Sequence, residues 1–293
     1  MVYVLTVFII GEVVLRFLGF GSTLLYYNND FTGYNMQPNQ ECKILGKHIS
    51  INEYSMRSGP IGDEEYRILV FGDSVVNGGI YTDDSSLATT YIEEQLREIE
   101  PKTRVLNVSC GGWGVDNAYG YLQQYGDFEA HTIVLLFNNH DAVGSISDSP
   151  VAGSLTFPEK QYPLAWVELL ERYVLPRLGI YFKEVVDSTN TSSGNEFSKG
   201  WEHFSNYCTE HDINLIIYLH AQKNEAIDFC SYNENGKRII EFANEHAIPI
   251  CLDIENEEKE DFRDWIHLTE KGQHVISDIL YPVLEEIILR RDS

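Results

Sequence analysis

Ile68-Leu69-Val70-Phe71-Gly72-Asp73-Ser74 is the stretch from which the fold can be read. Four large apolar residues follow one another without alternation, which does not suit a strand with one face in water. A strand buried on both faces, as in a parallel sheet covered by helices, reads this way. Gly72-Asp73-Ser74 then ends the run with residues that favour turns and helix caps. Similar runs lie at Arg67–Phe71, Arg104–Val108, Thr132–Phe137, Ile213–Leu219 and Ile248–Leu252. Between them the apolar spacing changes to the helical period of about 3.6 residues. The helical stretches are Ser86–Ile99, Asn117–Tyr125, Gly200–His211, Glu234–His246 and Thr269–Arg290.

Strand and helix in alternation imply an α/β fold: a three-layer, doubly wound (flavodoxin-like), mostly parallel five-stranded sheet with helices on both faces. In such sheets the site lies at the carboxyl ends of the strands. Residues 66–293 form this domain, with an insertion over 142–199 that is aromatic and contains proline. One helix is expected around Trp166–Tyr173, and the insertion as a whole suits a lid or a wall of the site. Residues 26–65, rich in Asn, Gly and Tyr, read as a loop-rich lead-in.

The chain has 293 residues, 43% of them hydrophobic, which is enough for one sizeable core. Its 45 acidic residues against 21 basic give a net charge of −24. Such a surface repels phosphate backbones, so nucleic acid is excluded as a partner. The acidic run Glu255–Asp261 reads as a solvated loop. The five cysteines are odd in number and scattered, without the spacing of a disulfide framework or a zinc site. Cys110, Cys208 and Cys251 lie in or beside apolar segments and are expected to be buried. Gly111-Gly112-Trp113-Gly114 lacks the lysine of a phosphate loop.

Residues 1–25 are mostly apolar, interrupted by Glu12 and Arg16 at the spacing that lets them pair on one helix face. A membrane span needs about 20 apolar residues, so this segment is a candidate anchor that carries two charges. Anchoring would place the α/β domain outside the cytoplasm. The alternatives are an uncleaved signal-like segment or a helix packed on a soluble domain.

Two constellations carry chemistry. Ser74 places a hydroxyl just after a buried strand and before a helix, where backbone N–H groups can stabilise negative charge. Asp264-Trp265-Ile266-His267 sets a carboxylate three residues before an imidazole. That spacing lets Asp264 hold Nδ1–H and leaves Nε2 for a hydroxyl.

Together these blocks resemble the first and last motifs of the SGNH (GDSL-like) hydrolase superfamily. Val105-Leu106-Asn107-Val108-Ser109-Cys110-Gly111-Gly112-Trp113-Gly114 resembles its second block, with Gly112 matching the oxyanion-hole glycine. The third block of the family is Gly-x-Asn-Asp; here the strand ends Phe137-Asn138-Asn139-His140-Asp141. In direct register His140 replaces the asparagine that donates to the oxyanion, and Asn139 reaches that place only after a shift of one residue. Glu12-x-x-x-Arg16 and Asn52-Glu53-Tyr54-Ser55-Met56-Arg57 also resemble, more loosely, the membrane-anchored members.

The resemblance covers about residues 67–290. It implies a serine esterase or O-acyltransferase with catalytic Ser74, His267 and Asp264. The oxyanion hole would be made by Ser74, Gly112 and either Asn139 or His140. No cofactor and no metal are required. The partner would be an ester, such as an acylated carbohydrate, with Asp73, Trp113 and Trp265 as substrate-contacting candidates; Trp166 could also stack on a sugar. The alternative is a non-catalytic binding module in polysaccharide assembly. The remaining histidines, His211, His220 and His246 among them, read as helix-end or strand-end residues. Asn107 and Asn190 fit a short glycosylation pattern, though Asn107 falls in an expected buried strand.

Overall fold

The computed structural model describes residues 2–63, 65–146, 150–183 and 196–291. Asn190 and the Ser188–Gly194 stretch lie outside them. Five strands form the central sheet: β5 (Tyr66–Gly72), β6 (Thr103–Ser109), β7 (Thr132–Asn138), β8 (Asn214–His220) and β9 (Ile250–Leu252). Their order is β6-β5-β7-β8-β9, and every pairing is parallel. Every residue of β7 is buried, and in β5 every residue except Arg67 is. The unbroken apolar runs have this cause: there is no wet face on which to alternate.

The chain leaves β5 for β6 on one side, then returns past it to β7. Two helices cover one face of the sheet, α3 (Ala88–Leu96) and α8 (Glu270–Arg291), which pack together. The other face carries α4 (Val115–Tyr125), α6 (Lys199–Glu210) and α7 (Glu234–Glu245), with Trp201 of α6 against Phe242 of α7. Windings of opposite sense meet between β5 and β7, and a crevice opens at their carboxyl ends. Both the turn after β5 and the turn after β7 carry candidate site residues.

The lead-in is more ordered than its composition suggests. It holds two antiparallel hairpins, β1–β2 (Tyr26–Asn29 with Gly33–Met36) and β3–β4 (Gln40–Ile44 with Lys47–Ile51). Met36, Ile49 and Met56 are fully buried, so these hairpins share the domain's core.

The N-terminal segment is a helix, α1 (Val2–Phe17), of 16 residues. Among the described residues no helix is long and apolar enough to cross a membrane, so a spanning anchor is not supported. Glu12 and Arg16 do pair, at 2.7 Å, and they do more. Glu12 accepts the backbone N–H groups of Ala165 (2.9 Å) and Trp166 (3.3 Å). These open the short helix α5 (Ala165–Glu168), which continues as one wider turn over Leu169–Val174. Trp166 stacks on Phe8 and donates to its carbonyl, so its ring belongs to this docking contact.

Candidate active site

Ser74 is set by its neighbours in sequence. Gly72 must be glycine: a Cβ there would come within 2.6 Å of the Leu136 carbonyl and closer still to Val76. Asp73 caps the single helical turn α2 (Ser74–Asn77), accepting the Val75 N–H at 2.8 Å. Its other oxygen accepts the Asn138 side-chain amide at 2.9 Å. Asp73 is therefore a buried brace between the ends of β5 and β7, already committed before any substrate arrives. Burial pushes its pKa up, and the Val75 N–H opposes this.

The loop after α2 is held from the lead-in. Buried Arg57 donates to the carbonyls of Asn77, Gly79 (2.6 Å) and Thr82 (2.6 Å), and pairs with Asp84 at 2.9 Å. Three carbonyls that would otherwise lack donors are satisfied by one side chain. The Asn52–Arg57 stretch thus has a mechanical role.

His267 Nε2 lies 2.9 Å from Ser74 Oγ, across 193 residues of sequence. Its Nδ1 lies 2.8 and 3.1 Å from the two oxygens of Asp264. Asp264 Oδ1 also accepts the N–H groups of Ile266 (3.0 Å) and His267 (2.8 Å). Burial alone would raise the pKa of this carboxyl. The two backbone donors and the His267 ring outweigh it, and the pKa lies below the usual carboxylate range. A carboxylate ionised at neutral pH keeps the proton on Nδ1 and turns the Nε2 lone pair to the hydroxyl.

A second histidine–aspartate pair lies beneath this loop. His220 Nδ1 is 2.6 Å from Asp253 Oδ2, and its Nε2 is 2.9 Å from the Ile266 carbonyl. Asp253 further accepts from Ala221 N–H and the Tyr232 hydroxyl. A carbonyl only accepts, so Nε2 must carry a proton. Burial would lower the pKa of His220, but the charge and hydrogen bond of Asp253 prevail and raise it to about 9. Glu257 stands 3.8 Å from the same ring. Burial takes its carboxyl up to about 8, against the pull of His220. These three side chains are close enough to hold a metal ion, but His220 and Asp253 already satisfy each other. The acidic run is thus not wholly solvated, since Glu257 and Asp261 point inward. The sequence showed His220 as a strand end; its partner 33 residues away left no local signal.

The two candidates of the third block sit differently. Asn139 is buried, accepts from the Gln222 amide at 2.7 Å, and does not line the cavity beside Ser74. His140 does line it. Gln222 Nε2 also lies 2.7 Å from His140 Nε2, so the amide donates there and the ring proton stays on Nδ1. Burial pushes the pKa of His140 down, opposed by the charges of Asp73 and Glu225, so the ring is neutral with one N–H to give.

Gly112 lines the cavity with φ +78°, a left-handed conformation that favours glycine. The first hairpin holds its loop: Tyr34 donates its hydroxyl to the Gly111 carbonyl at 2.7 Å, and the Trp113 indole donates to the Tyr34 carbonyl at 2.9 Å. Trp113 is 1% exposed, so its ring is core and offers no stacking face. Trp265 is 45% exposed, lies edge-on to His140 and lines the cavity. Asn107, buried with its amide on the Val76 carbonyl, has no room for a glycan.

No family profile matches the chain, and no curated protein matches it. Solved structures of similar outline include a lipase/acylhydrolase from Enterococcus faecalis, at 12% identity and TM-score 0.45, covering 75% of this chain and 96% of that one. A psychrotrophic esterase EstA from Pseudoalteromonas sp. gives 11% identity and TM-score 0.45, covering 76% and 99%. A two-domain esterase (CEX) active on acetylated mannans gives 11% and 0.47, covering 76% of this chain and 49% of that one. The fold itself is read from the strand order and register above.

Proposed function

We propose that this chain is an SGNH-type serine ester hydrolase or O-acyltransferase, with Ser74 as nucleophile, His267 as base and Asp264 as its orienting carboxylate. The reading is carried by one observation: Ser74 Oγ, His267 Nε2 and Asp264 stand in line at 2.9 and 2.8 Å. His267 takes the Ser74 proton as Oγ attacks the ester carbonyl. The backbone N–H groups of Ser74 and Gly112, with the His140 ring, receive the negative oxygen. Collapse expels the alcohol, which takes the proton from His267. Water, or a sugar hydroxyl, then gives its proton to His267 and attacks the acyl-enzyme; the acyl–Oγ bond breaks, Ser74 Oγ takes the proton back from His267, and the acid or the new ester leaves.

The cavity beside Ser74, Gly112 and His140 is about 70 Å³, which suits a short acyl group such as acetyl. An acylated carbohydrate is the substrate class proposed. The apolar side chains of α1, all exposed or half-exposed, suit a peripheral seat at a lipid surface.

Purified protein should hydrolyse p-nitrophenyl acetate, and Ser74→Ala should abolish the activity down to background. Equal rates for the two proteins would overturn the proposal.

A further inference from the structure

Two cavities meet at Ser74 and His267, and their linings differ in charge. The narrow one just described holds Asp73, Asp116 and Asp141 and, among the described residues, no lysine or arginine. The other, about 490 Å³, opens toward the insertion and holds Arg172 and Arg263, with no carboxylate among the described residues of its lining. Its remaining wall includes Tyr81, Tyr173 and Tyr181. Among the described residues, two guanidiniums and no acid are the reverse of the chain's composition, in which acids outnumber bases 45 to 21.

The two arginines are not equivalent. Arg172 is spent: it pairs with Glu168 at 3.1 Å and donates to Thr23. Arg263 is not. It lies over the Tyr81 ring at 4.3 Å. Its closest carboxylate contact among the described residues is Asp264, at 3.9 Å from Nε. That oxygen is already bonded to His267. Among the described residues the Arg263 guanidinium makes no hydrogen bond, and its side chain keeps 28% of its exposure. Stacking on Tyr81 fixes the plane of the fork and leaves its edge N–H groups for a ligand. Such a fork matches a carboxylate, which can accept two parallel hydrogen bonds.

We infer that the wide cavity recognises a carboxylate on the alcohol portion of the ester, with Arg263 as the residue that binds it. This deepens the hydrolase or transferase reading and rests on it for the word ester. The alcohol side is assigned because Gly112 and His140 line the narrow cavity alone, so the acyl oxygen faces that way. The alcohol then leaves past His267 into the wide one. The negative surface elsewhere repels an anion, so Arg263 supplies a local attraction where the chain as a whole offers none.

The test is binding to the full chain carrying Ser74→Ala, which needs no turnover. Four probes are titrated calorimetrically: phenyl acetate, 3-carboxyphenyl acetate, 3-(trimethylammonio)phenyl acetate, and the monophenyl ester of succinate. The third is the cationic counterpart, and the fourth carries its carboxylate on the acyl side. The expected order puts 3-carboxyphenyl acetate first, about tenfold tighter than phenyl acetate, as a hydrogen-bonded charge pair would give. Arg263→Gln in the same background should erase that margin, and Arg263→Lys should restore part of it. Equal binding of the first three probes, or tighter binding of the succinate ester, overturns the inference; both read-outs use Ser74→Ala alone and so survive a misfolded Arg263 variant. Ser74-dependent turnover of phenyl acetate by the unmutated chain reports separately on the hydrolase reading.

Discussion

Two histidine–aspartate pairs lie within one small region of this molecule, and they are nearly the same object. In each, Nδ1 meets a carboxylate oxygen, at 2.8 Å for His267–Asp264 and 2.6 Å for His220–Asp253. In each, Nε2 has a partner at 2.9 Å. The partners differ. His267 faces a hydroxyl, which can give its proton up. His220 faces the carbonyl of Ile266, which can only accept, and with Asp253 on Nδ1 the ring is held as a cation below about pH 9. A histidine–aspartate pair is therefore not itself a catalytic signature; the group on the far nitrogen decides whether it is a base or a bolt. His220 holds the residue immediately before His267, so the second pair positions the first.

The same substitution in both pairs should separate them. Asp264→Asn would leave the His267 ring free to take the wrong tautomer, and kcat on p-nitrophenyl acetate should fall about 10⁴-fold with little change in Tm. Asp253→Asn would leave a buried imidazolium without its counter-charge, a cost of about 3–5 kcal/mol. Thermal melting should show this as a drop of about 10 °C, with kcat reduced less than tenfold. If Asp253→Asn costs more activity than Asp264→Asn, the roles have been assigned the wrong way round.

A third imidazole sharpens the comparison. His140, neutral and lining the cavity, is proposed above as the oxyanion donor, and on that reading His140→Ala should lower kcat about 100- to 1000-fold. Asn139→Ala should cost far less, because Asn139 is turned to Gln222. Comparable losses from the two would break this assignment.

The smallest effect is on stability against pH. His220 has a folded pKa of about 9 against an ordinary 6.5, and Glu257 about 8 against 4.5. Both are raised, so the folded chain binds more protons than the unfolded one and stability falls as pH rises. The contribution of His220 is whole below pH 6.5 and is lost as the pH passes through about 9. Melting temperatures across that window should decline, and His220→Gln should flatten the decline. Its amide can still donate to the Ile266 carbonyl, so it should retain more kcat than His220→Leu.

How much of this the sequence disclosed depends on how local the cause is. The central sheet strands are legible because burial on both faces leaves an unbroken apolar run, as in Ile133–Phe137. Ser74 and the Asp264–His267 pair are legible because strand end, turn and spacing lie within a few residues. The hairpins are not, because strands of four or five residues such as Tyr26–Asn29 carry no period long enough to see. The role of Glu12, which seats the start of α5 from 153 residues away, has no local mark at all. The burial of Trp113 is hidden for a related reason: its motif is visible, but the Tyr34 carbonyl that holds its indole in the core is not. Arg57 and Asp253 act through partners that only the folded chain supplies.

Labelling with a fluorophosphonate, followed by peptide mass spectrometry, asks most directly whether His267 activates Ser74. The expected result is a single adduct on the peptide containing Ser74, formed rapidly in the unmutated chain and at background rate in His267→Ala. An unlabelled Ser74, or labelling as fast without the imidazole as with it, would contradict the account.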